Sequence, residues 1–329
     1  MQKITKELLS FDYKDKKILA ELFKDGRAHI SIIAKHTQIS KDVVNYRLSK
    51  LVESGVMTNV STIIDIRKLG RSSSLIFFKI VNLDKQKIKK FTSYLVENPA
   101  VVEILEFAGG WDFAVRFYHK NKLQLKEHIS KLKTKFPNMI NHYSVFSISE
   151  NIPLPYNVLF EKYGFKPKQV TYKKCKLDKL DMRILSAISS DGRKSLAQLQ
   201  TELKENRMTI YNRINKMLKS GVIYSFRPNL FTEKLGFHWY EINLKLATDK
   251  VKSVVDTLKE MQQVHWIMSG SGFADVVFYI QVKHVQELQK ILYMIRERFS
   301  KDIKSVESAS VIKDYKWDFF PKGFLAELG

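Results

Sequence analysis

The chain has 329 residues, 44% of them hydrophobic, which is enough for two or more globular domains with their own cores. Its 56 Lys and Arg against 34 Asp and Glu give a net charge of +22 that is spread over both halves, and this favours a polyanionic partner such as nucleic acid. The single cysteine excludes disulfides within the chain, and no apolar run reaches the roughly 20 residues of a membrane span, so we expect a cytoplasmic protein that uses no membrane, metal or cofactor.

The segment from Asp12 to Val56 occurs a second time, 166 residues further along the chain. The repeat needs no gap. The matching tripeptides are Asp25-Gly26-Arg27 with Asp191-Gly192-Arg193, and Ser54-Gly55-Val56 with Ser220-Gly221-Val222. A repeat of this length indicates a duplicated domain and not a solenoid unit.

Three amphipathic helices are predicted in each copy, because apolar residues recur at three- and four-residue steps. In the first copy we expect Gly26 to end the first helix in a left-handed conformation, Ser40 to cap the third helix and Gly55 to end it. Asn206 occupies the position of Ser40 in the second copy, so two different capping residues predict the same helix start. The arrangement is typical of a helix-turn-helix domain, whose third helix enters the DNA major groove.

Polar residues occupy the outward positions near the start of each third helix. In the first copy they are Lys41, Asp42, Asn45, Tyr46 and Ser49, and in the second they are Arg207, Met208, Tyr211, Asn212 and Asn215. Their donors and acceptors suit base edges and their cations suit phosphates, so we predict that they bind double-stranded DNA. The alternative is the polar face of an ordinary solvated helix. Arg47 and Arg213 have two alternative roles, a phosphate contact or an ion pair with Asp15 or Asp181.

An alternation of strands and helices follows each predicted helix-turn-helix domain. After a β-branched stretch at 56–66 that predicts a wing, the first copy has predicted strands at 74–81, 101–107, 112–118 and 140–148 and helices at 85–96 and 123–136. The order βαββαβ is the ferredoxin-like arrangement, an antiparallel sheet with both helices on one face. The two open faces are covered most simply if the sheets pack against each other as an internal pseudo-dimer.

These elements predict an α+β fold with six segments. The two winged helix-turn-helix domains are predicted at 1–66 and 177–232, and the two ferredoxin-like domains at 67–150 and 233–313. A linker is predicted at 151–176 and a C-terminal extension at 314–329.

The combination D-x-x-I-L, D-G-R, R-[LI]-x-K-[LM] and S-G-V resembles the Lrp/AsnC family of leucine-responsive transcriptional regulators. The second domain resembles that family's RAM-type ligand-binding and oligomerisation module, in which a glycine precedes an aspartate by three residues before a strand. Here the matching turns are Gly109-Gly110-Trp111-Asp112 and Gly272-Phe273-Ala274-Asp275.

The resemblance implies a sequence-specific regulator whose small-molecule effector, such as an amino acid, binds near these glycines and aspartates. Family members usually carry one copy per chain and dimerise, so this chain is similar to a fused dimer that could pair further into a homodimer or higher oligomer. The alternative for the two turns is structural, with glycines that permit a tight turn and an aspartate that caps it.

Two alternatives to a sequence-specific regulator remain open. Siroheme decarboxylases resemble the same two-domain architecture and bind an anionic tetrapyrrole, for which His238 and His265 would be candidate residues, although Ser72 stands at the position of His238 in the first copy. An architectural DNA-binding protein also suits the charge of +22, and it predicts steep salt dependence with little preference among DNA sequences.

Overall fold

Each half of the chain folds into three helices, a strand and a βαββαβ unit. The computed structural model describes residues 11–81, 84–160, 176–247 and 249–320. The first half contains α1 (Tyr13–Lys24), α2 (Ile30–Thr37), α3 (Lys41–Glu53), β1 (Met57–Ile64), β2 (Ser72–Ile80), α4 (Lys85–Glu97), β3 (Val101–Gly109), β4 (Phe113–His119), α5 (Lys122–Lys135) and β5 (Ile140–Pro153). The second half contains α6 (Lys179–Ser189), α7 (Leu196–Leu203), α8 (Arg207–Lys219), β6 (Ile223–Leu230), β7 (His238–Leu246), α9 (Val251–Lys259), β8 (Val264–Gly272), β9 (Val276–Val282), α10 (Val285–Arg298) and β10 (Ile303–Trp317).

This order of elements confirms the predicted α+β fold and its duplication. Residues 1–10 of the first predicted domain, 161–175 of the predicted linker and 321–329 of the predicted C-terminal extension lie outside the described residues. Among the helices that the structure describes, none is both long enough and apolar enough to cross a membrane.

The predicted starts of the third helices are confirmed. Ser40 Oγ accepts from Val43 N at 3.4 Å, and Asn206 Oδ1 accepts from Met208 N at 2.8 Å. Each side chain satisfies an amide of the first helical turn that has no partner within the helix. Gly55 follows α3 with φ of +66°, as its predicted role at the helix end requires.

Gly26 has a different role from the one predicted. Its φ angle is not positive, so a left-handed conformation does not explain why this position is a glycine. A Cβ at Gly26 would lie 2.6 Å from Phe226 O and 2.8 Å from Val60 Cγ1. Gly26 is therefore needed because strands of both copies pack against it, a constraint that the local sequence does not reveal.

Strand β1 pairs with the corresponding strand of the other copy. The prediction of a wing strand is confirmed, but β1 and β6 form one antiparallel two-stranded ribbon in which Ser61 lies opposite Arg227. Arg27 and Arg193 each donate hydrogen bonds to backbone oxygens of the other copy. Arg27 Nη2 donates to Lys194 O at 2.8 Å, and Arg193 Nη2 donates to Ala28 O at 3.0 Å. The two helix-turn-helix units are thus held together by their D-G-R arginines and by a shared ribbon.

The remaining eight strands close into one barrel, in the order β10-β3-β4-β2-β5-β8-β9-β7. The sheets of the two copies do not simply lie face to face as predicted. They join edge to edge at two seams, β5 with β8 and β10 with β3. The former open faces become the barrel interior, where Phe77, Phe146 and Tyr279 are fully buried. Both closing strands extend past the predicted limits, since β5 was predicted at 140–148 and continues to Pro153, and β10 continues to Trp317, beyond the predicted domain end at 313.

The helices of the ferredoxin-like units pack on the outside of the barrel. Phe91 of α4 and Leu132 of α5 are buried against β2, β3 and β4, and α9 and α10 cover the second copy in the same way. The helix-turn-helix cores also mix the copies, because Val60 of β1 packs in the second unit and Leu230 of β6 packs in the first.

Candidate nucleic-acid interface

The first recognition helix, α3, presents its predicted reading face to solvent. Val44 and Leu51 are buried against α1 and α2, which turns Lys41, Asn45 and Ser49 outward. Tyr46 also points outward and is 66% exposed, a large fraction for an aromatic side chain. These residues follow the capped start of α3 and are accessible to a ligand, and their contact with base edges stays a prediction.

The second recognition helix, α8, exposes a chemically different face. Arg207, Tyr211 and Asn212 are exposed, and Asn215 is half-buried at the edge of this face. Arg207 Nε donates to Gln200 Oε1 at 2.6 Å, which orients the guanidinium group at the start of α8. Helix α8 carries four basic and no acidic residues, whereas α3 carries three basic and two acidic ones. The two faces therefore differ in charge as well as in sequence.

The structure shows the ion-pair alternative for Arg47 and Arg213. Arg47 Nη1 lies 2.6 Å from Asp12 Oδ1 and 3.1 Å from Asp15 Oδ1. Hydrogen bonding to Asp12 is the main cause that raises the pKa of Arg47. Arg213 makes the corresponding pairs with Asp178 and Asp181. Both arginines clamp a recognition helix to the first helix of its unit, and a phosphate contact by either stays a prediction.

The two glycine-aspartate turns lie beside each other at one end of the barrel. Asp112 Oδ2 accepts from Ile80 N at 2.7 Å, and Asp275 Oδ2 accepts from Leu246 N at 2.8 Å, so both aspartates cap strand ends. Trp111 of one turn and Phe273 of the other are in contact, with ring centres 5.8 Å apart.

Two glycines of these turns, Gly109 and Gly272, are explained by the backbone geometry of the barrel seams. Gly109 and Gly272 have φ of +148° and +138°, values that favour glycine. A Cβ at Gly272 would lie 2.0 Å from Val145 O, whereas one at Gly110 would meet open space. These contacts account for Gly109, Gly272 and both aspartates without a ligand, and an effector site at the turns stays a prediction.

Sequence reasoning did not predict a cavity of about 600 Å³ between the β1–β6 ribbon and the barrel. Arg227 of β6, Trp239 of β7 and His265 of β8 line it. Of the two histidines that are candidates for tetrapyrrole binding, His265 lines this cavity, whereas His238 lies exposed outside the lining. The sequence held one signal for this cavity, a difference between the two copies: Arg227 occupies the position at which the first copy has Ser61.

Comparisons with known proteins match both halves of the chain. The family described as winged helix-turn-helix DNA-binding matches residues 11–56 and 177–224. An uncharacterised helix-turn-helix-type transcriptional regulator of Pyrococcus horikoshii is 31% identical over 153 residues, which span 45% of this chain and 93% of that protein. The helix-turn-helix-type regulator FL11 of the same organism is 34% identical over 118 residues, spanning 36% of this chain and 77% of FL11.

Paired helix-turn-helix units joined to a ferredoxin-like barrel, together with these matches, define a DNA-binding transcriptional regulator. The chain belongs to the Lrp/AsnC family and carries the family's unit twice.

A solved structure of the siroheme decarboxylase NirDL has a similar fold over nearly the whole chain. The TM-score is 0.64, and the match covers 96% of this chain and 98% of that one. Only 16% of the residues are identical, so the match shows a shared fold alone.

Proposed function

We propose that the chain is a fused pseudo-dimer that regulates transcription by reading an asymmetric DNA site with both recognition helices. The observation that carries this proposal is the exposure of two unlike reading faces on helix-turn-helix units that are joined by reciprocal arginine contacts. Two identical subunits would read a palindrome. Two unlike faces in one chain would read two unlike half-sites, spaced by about one helical turn of 34 Å or a multiple of it.

In this proposal the exposed polar residues divide into two tasks. Asn45 and Tyr46 read one half-site, and Tyr211 and Asn212 read the other, through base-edge contacts. The remaining contributors are Lys41, Ser49, Arg207 and Asn215, whose groups position the helices on phosphates or support the reading contacts. The proposed helix-turn-helix domains are 1–66 and 177–232, each followed by its ferredoxin-like domain.

We further propose that the regulator responds to a small molecule through its barrel. The two glycine-aspartate turns are adjacent, and Gly110 has open space beside its backbone, so a small ligand could bind there between two chains that pair further. An amino acid is the effector that the family resemblance favours. Equilibrium binding of the twenty amino acids, with and without DNA, tests this part of the proposal.

Selection of binding sites from a random DNA pool at near-physiological salt tests the reading of DNA. An enriched motif with two unlike half-sites is the expected result. Substitution of Asn45 and Tyr46 by Ala should remove preference at one half-site, and substitution of Tyr211 and Asn212 at the other. Binding without any enriched motif would instead favour an architectural protein, and it would contradict the proposed reading.

Siroheme decarboxylation is a second candidate function, and the fold match to the siroheme decarboxylase NirDL is the observation that favours it. Four basic residues line the cavity, but Lys234 and Lys316 already donate to backbone oxygens, Lys313 is exposed, and Glu233 and Asp314 line it too. Arg227 is the buried cation of this lining, and one buried cation suits a single acidic group better than the several carboxylates of a tetrapyrrole. Visible absorbance spectra of the purified protein before and after addition of siroheme distinguish the two functions. A new, saturable spectrum together with absence of DNA binding would favour the enzyme.

A further inference from the structure

The cavity between the β1–β6 ribbon and the barrel has the size and position of a binding site. Its volume of about 600 Å³ falls within the range of roughly 300–1,000 Å³ that is typical of sites for small organic molecules. It is lined by segments of both copies, among them β1, β6, β7, β8 and the end of β10. It is distinct from the recognition helices and from the glycine-aspartate turns.

Arg227 supplies a buried positive charge to this cavity. The residue is 6% exposed, and its terminal nitrogens Nη1 and Nη2 have no hydrogen-bond partner among the described parts of the chain. The guanidinium carbon lies 4.5 Å from the centre of the Tyr156 ring and 5.7 Å from that of Trp266. Contacts with ring faces leave N–H donors unused, and a buried charge ordinarily has an anionic partner. An acceptor from outside the chain would satisfy these donors.

Flat aromatic side chains form the walls beside Arg227. His265 is 2% exposed and lies between Tyr156 and Trp239, with ring centres 5.1 and 5.0 Å away. Neither Nδ1 nor Nε2 of His265 has a partner among the residues that the structure describes. Burial lowers the pKa of His265 well below its usual value, so the neutral ring offers one donor and one acceptor.

Other charged groups of the cavity limit the charge of a ligand. Lys234 Nζ already donates to Ser54 O at 2.7 Å, and Lys316 Nζ donates to Val96 O at 2.9 Å. Lys313 also lines the cavity, but it is exposed and its Nζ lies 4.3 Å from the centre of the Tyr315 ring. Asp314 and Glu233 line the same cavity, and burial raises the pKa of both; in their ionised forms they would repel additional negative charges. The balance favours a ligand with one acidic group over a polyanion.

The equivalent place in the other copy holds almost no empty space. The cavity there measures about 20 Å³, close to the volume of one water molecule. Its lining residues Ser73, Val102 and Phe319 correspond to Trp239, His265 and Tyr156 of the large cavity. The small cavity also has arginines, but Arg67 pairs with Asp65 at 2.8 Å and Arg116 lies 3.7 Å from Glu103, whereas Arg227 of the large cavity has no carboxylate partner among the described residues.

We propose that the cavity beside Arg227 binds one small aromatic or planar apolar molecule that carries a single carboxylate. The carboxylate accepts from the two guanidinium nitrogens in a paired arrangement, the geometry that Arg favours with carboxylates. The apolar body lies among Tyr156, Trp239 and Trp266. Binding does not require DNA, so this proposal stands or fails separately from the proposed reading of DNA.

Three of the chain's four tryptophans, Trp239, Trp266 and Trp317, line the cavity and provide a built-in fluorescence reporter. We would titrate the full chain, without DNA, with benzoate, indole-3-acetate and 1-naphthoate, each beside its uncharged amide, and confirm the stoichiometry by calorimetry. We expect one molecule per chain and at least tenfold tighter binding of a carboxylate than of its amide. Failure of all three carboxylates to bind would overturn the proposal.

Arg227→Met is the matching variant, and Arg296→Gln, which removes one positive charge from an exposed position on α10, is its control. We expect Arg227→Met to bind a carboxylate no better than its amide, whereas Arg296→Gln keeps the native preference. An unchanged preference in Arg227→Met would overturn the proposal.

Thermal unfolding separates a binding role of Arg227 from a structural one. Arg227 is buried without an anionic partner among the described residues. We therefore expect the Tm of Arg227→Met to equal or exceed that of the unsubstituted chain. A large loss of stability would assign Arg227 a structural role and count against the proposal. In that case a second variant, Tyr156→Leu, keeps the arginine and removes one aromatic side chain from the cavity wall. It should weaken the binding of the carboxylate and of its amide by the same factor. Unchanged binding of both molecules would overturn the proposed location.

Discussion

Asp314 is a residue whose environment makes stability depend on pH. Burial, with Glu103 and Glu233 nearby, raises its pKa to about 7. The folded chain therefore holds this proton more tightly than the unfolded chain, and the stabilising effect is lost as pH rises from about 4 to about 7. At about 1.4 kcal/mol per pKa unit, a shift of about three units corresponds to about 4 kcal/mol, so we expect Asp314→Asn to raise the free energy of unfolding at pH 8 by up to about 4 kcal/mol.

Chemical denaturation at pH 4 and pH 8 measures this effect. The gain from Asp314→Asn should be small at pH 4, where the carboxyl group is protonated in the folded state. Asp249→Asn, at an exposed position, should change little at either pH. An equal gain from Asp314→Asn at both pH values would show that ionisation of Asp314 is not its cause.

Arg193 is a residue that joins the two helix-turn-helix units. Its two terminal nitrogens donate to Gly26 O at 3.3 Å and Ala28 O at 3.0 Å. We expect Arg193→Met to lower the free energy of unfolding by about 1.5–3 kcal/mol, the range for hydrogen bonds to a charged group. It should also weaken binding to a DNA site with both half-sites more than binding to one half-site, because the two units are no longer fixed relative to each other.

Arg296→Met, which removes an exposed arginine, is the control for Arg193→Met. Urea titration and fluorescence anisotropy with both DNA lengths measure the two effects. If Arg193→Met weakened both DNA sites by the same factor, its role would be confined to its own unit.

At the residue scale, contacts between residues close in sequence could be predicted, whereas contacts between residues distant in sequence, many of them in different copies, could not. Ser40 and Asn206 were predicted as caps because a cap acts on amides two or three residues away. The role of Gly26 was predicted wrongly, because the atoms that exclude its side chain belong to Val60 and Phe226. Arg227 was missed for the same reason, since its neighbours Tyr156 and Trp266 are distant in sequence.

At the element scale, α3 and α8 should contribute differently to DNA binding. Helix α8 has four basic residues and no acidic one, so we expect it to supply more phosphate contacts than α3. Arg207→Ala and Lys219→Ala should each weaken binding to all sequences and reduce the slope of log affinity against log salt by about 1. Asn45→Ala should instead leave the slope unchanged and cost about 1–3 kcal/mol of preference at one base pair.

Salt titrations with the selected site and with a scrambled site of equal length measure both effects. Lys126→Ala, at an exposed position on α5, is the control for loss of a positive charge away from the recognition helices. A change of slope with Lys126→Ala as large as that with Lys219→Ala would place the DNA on a different surface.

The elements themselves were largely predictable, whereas their partners were not. Periodicity and β-branched stretches located the helices and strands of both copies, because these signals depend on residues close in sequence. The ribbon of β1 with β6 and the seam of β5 with β8 join residues more than 110 positions apart. Strand β5 extends to Pro153 and β10 to Trp317 because these strands close the barrel. No pattern among residues close in sequence predicts these extensions.

At the scale of the whole molecule, covalent fusion lets equivalent positions diverge. In a dimer of identical chains every cavity would occur twice, whereas here one cavity measures about 600 Å³ and its counterpart about 20 Å³. The same divergence separates the reading faces of α3 and α8. Two unlike faces in one chain suit the proposed asymmetric DNA site, and the unequal cavities suit the proposed single carboxylate ligand beside Arg227.

The shared barrel also predicts that the two halves stay together without their covalent link. Two barrel seams, the β1–β6 ribbon and the arginine contacts all join one copy to the other. A protease site inserted within residues 161–175 should therefore allow cleavage without separation, and the cleaved halves should elute together in size-exclusion chromatography at the volume of the intact chain. Each half alone would expose two barrel edges and one face of the interior, so separately expressed halves should aggregate or self-associate. Cleaved halves that elute as two stable monomers would contradict a barrel built from both copies.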